Sequence, residues 1–319
     1  MTHPGPRTDL EQVPHGRTAQ RLEWRFLPPH VRDLVEDRCG SAVVHAESQG
    51  AGFTPGFASV LTCEDGSRHF VKAASAKAQK MFAHSYREEA RKLAALPGAV
   101  PAPRLLWSYD ADWVVLGLEY VEARNPRRPW RTDELDACLD ALETTADVLT
   151  PAPDGLDLEP LAVDFAELPG LWSHLRTSHP DLPQLEEAAT LATGFLDVCG
   201  GTTVVHTDVR GDNALIRPDG RALFCDWNWP ALGAEWVDTL FLLIGPRGDG
   251  LDVESALNTR RLLRDVPAEH VDSTLAMLVG YFLKSADDPV PSTSPYLRIA
   301  QRWQGEVVWD WLCERRGWS

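Results

Sequence analysis

The chain has 319 residues, 44% hydrophobic and 24% charged, and 47 Asp and Glu against 31 Lys and Arg give a formal net charge of −16. This composition excludes a disordered or fibrous chain and supplies apolar residues for a sizeable core. The acidic balance argues against nucleic acid or an anionic membrane as partner, and no run of 18 apolar residues predicts a transmembrane helix.

The length predicts two domains or lobes. The six cysteines form no CxxC pair, so the sequence offers no metal-ligand spacing and no disulfide framework, which fits a reducing cytoplasm. The opening MTHPGPRTDLEQVPHGR lacks the apolar core of a signal peptide, and residues 1–22 read as a mobile tail.

From residue 27 the elements follow in order. Leu27 to Gly40 predicts a short helix, with prolines at its start and a glycine past its end. Val43 to Ala74 predicts three antiparallel strands, with a glycine-containing loop between the first two and a hairpin at Asp65-Gly66. Ser75 to Gly98 predicts a helix whose apolar stripe includes Phe82, Tyr86, Leu93 and Leu96. RLLWSYD and DWVVLGLEYV predict two more strands, completing a β-β-β-α-β-β order over residues 23–121. EARNPRRPW then reads as a linker. Helices are expected at Thr132 to Leu149, Pro183 to Val198, Glu235 to Leu243, Glu254 to Leu263, His270 to Lys284 and Pro295 to Arg315. Residues 122–319 therefore form a helix-rich second part of an α+β chain.

The chemistry concentrates in VVHTDVRGDN, Val204 to Asn213, and in ALFCDWNWP, where Asp226 closes a second strand-like run. Two apolar segments each deliver a carboxylate, and an Asn lies five residues after the first. One carboxylate and one carboxamide can hold Mg²⁺ against phosphate oxygens, while the other carboxylate orients a hydroxyl and takes its proton.

HxDxxxxN followed by an Asp at a strand end resembles the aminoglycoside phosphotransferase family, which has a protein-kinase-like two-lobe fold. The resemblance runs from about Leu27 to Trp318. It implies ATP and Mg²⁺ as cofactors and a small hydroxylated molecule as acceptor. It makes Asp208 the catalytic carboxylate, Asn213 and Asp226 the metal ligands, His206 a brace beneath the loop, and Asp238 a structural acceptor of its hydrogen bonds. Gly50, Gly52, Phe53, Thr54 and Gly56 fall where the family's phosphate-covering loop belongs. Lys72 takes the place of the strand lysine that contacts phosphates and pairs with a helix glutamate. Glu89 is chosen as that partner because Leu93 and Leu96 share its face; Glu88 is the alternative. The backbone near Glu119 to Val121 corresponds to the segment that meets the adenine edge.

Arg210 has two readings, a contact with the transferred phosphate or a surface pair with Asp212. The tripeptide Asp226-Trp227-Asn228 departs from the DFG of protein kinases and implies no DFG-type switch. Thr132 to Leu175 holds eleven acids and no Lys. These acids could bind a polyamine such as an aminoglycoside, or could form a solvated helix face. Two other classes remain: a non-catalytic nucleotide-binding or interaction protein on the same fold, and a protein kinase. The intact Lys72, Asp208, Asn213 and Asp226 argue against the first, and the missing DFG and APE-like segments against the second. Oligomeric state and the choice between ATP and GTP are not legible.

Overall fold

Proline in the first turn and Gly40 in the left-handed conformation (φ 78°) delimit α1, Pro29–Cys39. The structure is a computed structural model that describes residues 8–10, 13, 18, 21–50 and 56–318. After α1 come β1 (Val43–Ser48), β2 (Phe57–Cys63), β3 (Arg68–Ser75), β4 (Leu105–Asp110) and β5 (Trp113–Leu118), which form one antiparallel sheet in the order β1-β2-β3-β5-β4. Asp65 fixes the β2–β3 turn: its Oδ1 accepts from the Ser67 N–H and hydroxyl at 2.9 and 2.7 Å.

Helix α2, Lys80–Ala95, lies on one face of this sheet and buries Ala83, Tyr86, Glu89, Lys92 and Leu93. It starts later than the apolar stripe implies, because Ser75 still belongs to β3 and the Ser75 and Gln79 side chains hold the intervening turn. Strand alternation sends Val71 and Ala73 to the opposite face, where they pack with Val31 and Val35 of α1.

The second lobe holds α3 (Thr132–Val148), α4 (Leu161–Asp164), α5 (Trp172–Ser178), α6 (Leu185–Val198), α7 (Val237–Leu242), α8 (Ile244–Gly248), α9 (Val253–Thr259), α10 (Ala268–Asp287) and α11 (Leu297–Arg316). Two short antiparallel ladders interrupt the helices: β6 (Thr203–Val205) with β9 (Ala231–Gly233), and β7 (Ala214–Ile216) with β8 (Ala222–Phe224). Helix α10 packs between α6 and α11. Trp303, Trp309 and Trp311 are all buried in that core. The helix expected to reach Leu263 stops at Thr259, where Arg260 turns extended and reaches back to Asp136 and Asp140 of α3.

That contact, with Arg261 on Asp147, decides the acid-rich segment. Several of its acids face arginines of the same chain. Glu134 is buried and takes Arg124 and Arg127. Those acids are internal ion-pair partners rather than a polyamine site.

Among the described residues of the expected tail, Thr8 donates its N–H to Glu306 Oε2 at 2.7 Å, Val13 is buried, and the Thr18 N–H meets the Gly50 carbonyl at 2.8 Å. These residues are packed onto both lobes.

Candidate active site

The β7–β8 ladder explains how two distant residues meet. Ala214 pairs with Phe224, so the residues just beyond its open end, Asn213 on one side and Cys225 and Asp226 on the other, are brought side by side. The Cys225 N–H donates to the Asn213 carbonyl at 2.9 Å and locks that end. The β6–β9 ladder delivers His206 and the loop after it. Both loops carry a non-glycine residue in the left-handed region, Thr207 at φ 66° and Asp226 at φ 70°. Such backbone costs of order 1–3 kcal/mol per residue and is held only where the surroundings enforce it.

Those surroundings are specific. Asp238 accepts the N–H groups of His206 and Thr207 at 2.6 and 2.9 Å. His206 is buried, with its ring 4.6 Å from Trp227. Its Nε2 meets the Cys225 carbonyl at 2.9 Å, so Nε2 carries the proton, and its Nδ1 accepts from the Asp208 N–H at 3.2 Å. Burial holds its pKa below the usual value, which keeps this neutral tautomer. Asn125, in the linker-like segment, spans the carbonyls of Gly211, Asp212 and Ala214 at 3.2, 3.0 and 2.9 Å with its side-chain amide.

Asp208 meets the Asn213 amide at 2.9 Å through Oδ2 and Arg210 at 3.0 Å through Oδ1. Burial raises its pKa to about 6, although Arg210 opposes the rise. Arg210 also grips Asp212 with two bonds of 3.0 and 3.1 Å. The surface-pair reading of Arg210 is therefore incomplete: the same guanidinium also holds Asp208.

On the other side of Asn213, Lys72 Nζ lies 2.6 Å from both Glu89 Oε1 and Asp226 Oδ1. Burial works against the ammonium, but these two carboxylates hold its pKa above the usual range. The carboxylates differ in depth, with side chains 1% and 28% exposed. The deeper one bears the desolvation cost: burial lifts Glu89 to about 6 against the pull of Lys72. Burial acts on Asp226 in the same direction, but Lys72 outweighs it and holds this carboxyl at about 2. Glu88 instead faces Arg91 on the helix surface at 3.0 Å. Asn228 fixes Asp226 further, donating to Oδ1 at 2.7 Å, while Ser85 and Lys92 hold Asn228 from α2.

Two cavities flank this cluster, one lined by Asn213 and Asp226 and the other by Asp208. One, of about 340 Å³, lies between the lobes. Val60, Phe70, Leu118 and Leu215 give it apolar walls, Glu119, Tyr120 and Val121 a backbone edge, and Lys72, Asn213 and Asp226 a polar end. The Glu119 carboxylate turns to Arg104 at 3.1 Å, and the Arg68 guanidinium lies 4.1 Å from the centre of the Tyr120 ring. Gly56 sits against the Tyr86 hydroxyl, where any Cβ would collide. Gly50 lies at the sheet edge beside Thr18, whereas Gly52, Phe53 and Thr54 fall outside the described residues. The second cavity, of about 570 Å³, opens on the other side of Asp208. Its lining includes Asp164, Phe165, Trp229, Tyr281, Phe282 and Gln301.

Sequence reasoning missed Asn125, Lys92 and the aromatic wall of the second cavity. No local pattern marks an asparagine in a linker or a ring brought from α10.

The family model described as the phosphotransferase enzyme family matches residues 57–268. Among solved structures, a spectinomycin phosphotransferase in complex with ADP and spectinomycin superposes with TM-score 0.60 at 12% identity, covering 90% of this chain and 98% of that one. A thermostable mutant of an aminoglycoside phosphotransferase, in a ternary complex with ADP and hygromycin B, gives 0.59 at 13% identity, covering 89% and 98%. The choline kinase LicA from Streptococcus pneumoniae gives 0.58 at 16% identity, covering 87% and 99%. At such identities these likenesses establish the two-lobe, protein-kinase-like fold. No curated protein matches in sequence.

Proposed function

Because the chain belongs to the aminoglycoside phosphotransferase family of phosphotransferase enzymes, we propose that it transfers the γ-phosphate of ATP to a hydroxyl of a small molecule. The observation that carries this reading is the hydrogen bond that links a residue of one cavity to a residue of the other. Asn213 and Asp226 end one, Asp208 ends the other, and Asn213 joins them through its hydrogen bond to Asp208.

Adenine would lie between Val60, Phe70, Leu118 and Leu215, which are contributed by both lobes. The Glu119 N–H is engaged with the Arg104 carbonyl at 2.8 Å, so the adenine edge falls to the Glu119 carbonyl and the Val121 N–H. Lys72, oriented by Glu89, reaches the phosphates from β3. The loop from Gly50 to Gly56 would cover them with backbone N–H groups.

The donor set fits Mg²⁺. The Asn213 amide nitrogen is spent on Asp208, which leaves its oxygen as the ligand atom, and Asp226 supplies a carboxylate kept charged by Lys72. Asn213 and Asp226 would hold Mg²⁺, whose positive charge would offset the charge that develops on the phosphates in transfer. Asp208 orients the acceptor hydroxyl and takes its proton. Arg210 fixes the Asp208 carboxylate and brings positive charge to the point of transfer.

The acceptor is a hydroxylated molecule with ring or apolar faces, lying against Trp229, Tyr281 and Phe282. Asp164 leaves room for a cationic centre, so an amino-sugar antibiotic fits. No helix among the described residues is long and apolar enough to cross a membrane.

The test is coupled ADP release with MgATP over a panel of aminoglycosides, basic peptide antibiotics, amino alcohols and sugars. Acceptor-dependent release supports the reading. Transfer to protein side chains instead of any small molecule would overturn it.

A further inference from the structure

Cys39 ends α1, Cys63 ends β2, and His69 is the second residue of β3. The fold brings their two sulfurs and a ring nitrogen within 4.8 Å of one another, beside the β2–β3 turn. No residue of this group lines either cavity. His69 is on the face of β3 that carries Val71 and Ala73 against α1, opposite the face of Lys72.

We propose that Cys39, Cys63 and His69 bind one zinc ion that fastens the end of α1 to the β2–β3 hairpin. Two thiolates and an imidazole are donors that zinc prefers, with a fourth position for water. The imidazole is already oriented for this. The Ser67 hydroxyl donates its one hydrogen to Asp65 at 2.7 Å, so its oxygen accepts from His69 Nε2 at 3.0 Å. That chain leaves the other ring nitrogen, Nδ1, as an unprotonated lone pair. A carboxylate behind the histidine is the usual support of a metal-bound imidazole.

Access and charge agree. Cys63 is buried, while Cys39 and His69 are half-buried and give an entry path. The negative charges of Asp65 and Glu36 act on the Cys39 position. The same negative surroundings favour a dication. Binding is then an exchange: two thiol protons leave to solvent as two Zn–S bonds form, with no change of oxidation state.

The test uses the full chain, stripped with chelator under reductant and titrated with zinc against a chromophoric competitor. Cobalt(II) in a parallel titration reports thiolate ligation by its charge-transfer absorption. The wild type takes up one zinc per chain, releases protons and gains thermal stability. Cys39→Ser and Cys63→Ser each weaken zinc binding by more than about 100-fold, and Ser67→Ala weakens it by about 10-fold to 100-fold. Should Cys63→Ser disturb folding, His69→Gln at a half-buried position gives the same reading. Zinc affinity unchanged in Cys39→Ser and His69→Gln would overturn the proposal. So would a reduced wild type that takes up no zinc, whether or not it forms a Cys39–Cys63 disulfide in air.

Discussion

At the scale of single residues, two predictions separate the cavities. Lys72 bridges Glu89 and Asp226 at 2.6 Å. Lys72→Ala should lower kcat/KM for ATP by about 100-fold, the size typical for loss of one preorganised donor. It should also destabilise the chain by about 1–3 kcal/mol, because the buried Glu89 loses its Lys72 contact and takes up a proton. Nucleotide titration and denaturant unfolding check the two effects separately. Trp229 is 63% exposed at the rim of the second cavity, so its loss should cost little stability. Trp229→Ala should raise the acceptor KM about 10-fold with the KM for ATP unchanged. An effect on ATP alone would place Trp229 elsewhere. The residues with these sharp expectations differ in how far sequence shows them. Asp208, Asn213 and Asp226 sit in short motifs at strand ends. Glu89 follows from helix phase once Lys72 is placed, and the geometry chooses it over Glu88. Trp229 has no such signal, because the cavity it borders is assembled from segments distant in sequence.

At the scale of elements, the loop from His206 to Asn213, proposed as catalytic, is held by groups outside it. Asn125 ties three of its carbonyls, and each such bond is worth about 1 kcal/mol. Asn125→Ala should lower kcat about 10-fold while ATP affinity stays constant, as measured by steady-state kinetics beside calorimetry. A second junction lies between helices. Asp287, at the end of α10, accepts from His174 of α5, from His179 and from Arg302 of α11. Partial burial acts to raise its pKa, but these bonds hold it at about 2. A carboxyl whose folded pKa lies below its unfolded value adds stability that is fully present above the unfolded value. That stability is lost as pH falls through the folded one. The window is therefore from about pH 4 down to pH 2, and the amount at neutral pH is roughly 2 kcal/mol. Asp287→Asn should be less stable than wild type at pH 7, and the gap should close on acidification. A gap independent of pH would remove the ionic role. The longer helices and the five strands were legible because apolar period and turn residues are local signals. Helices α4 and α5 are too short to show a period. The early stop of α9 depends on acids of α3, which no window of sequence contains.

At the scale of the molecule, the two lobes hold different halves of the proposed site. The sheet and α2 hold Lys72 and Glu89. The second lobe holds Asp208, Asn213 and Asp226, and the segment from Glu119 to Val121 joins them at the cleft. The lobe order was legible from the run of strands followed by helices. The acid-rich stretch was not, because only the folded chain shows Arg260 and Arg261 meeting Asp136, Asp140 and Asp147. The central claim is that the two cavities exchange a phosphoryl group across Asp208. The most direct test is the rate of acceptor-stimulated ADP release by Asp208→Asn beside wild type, at saturating MgATP. The account predicts a fall of about 1,000-fold or more with nucleotide binding retained, since the carboxamide keeps the shape and loses the base. Equal rates for the two proteins would contradict it.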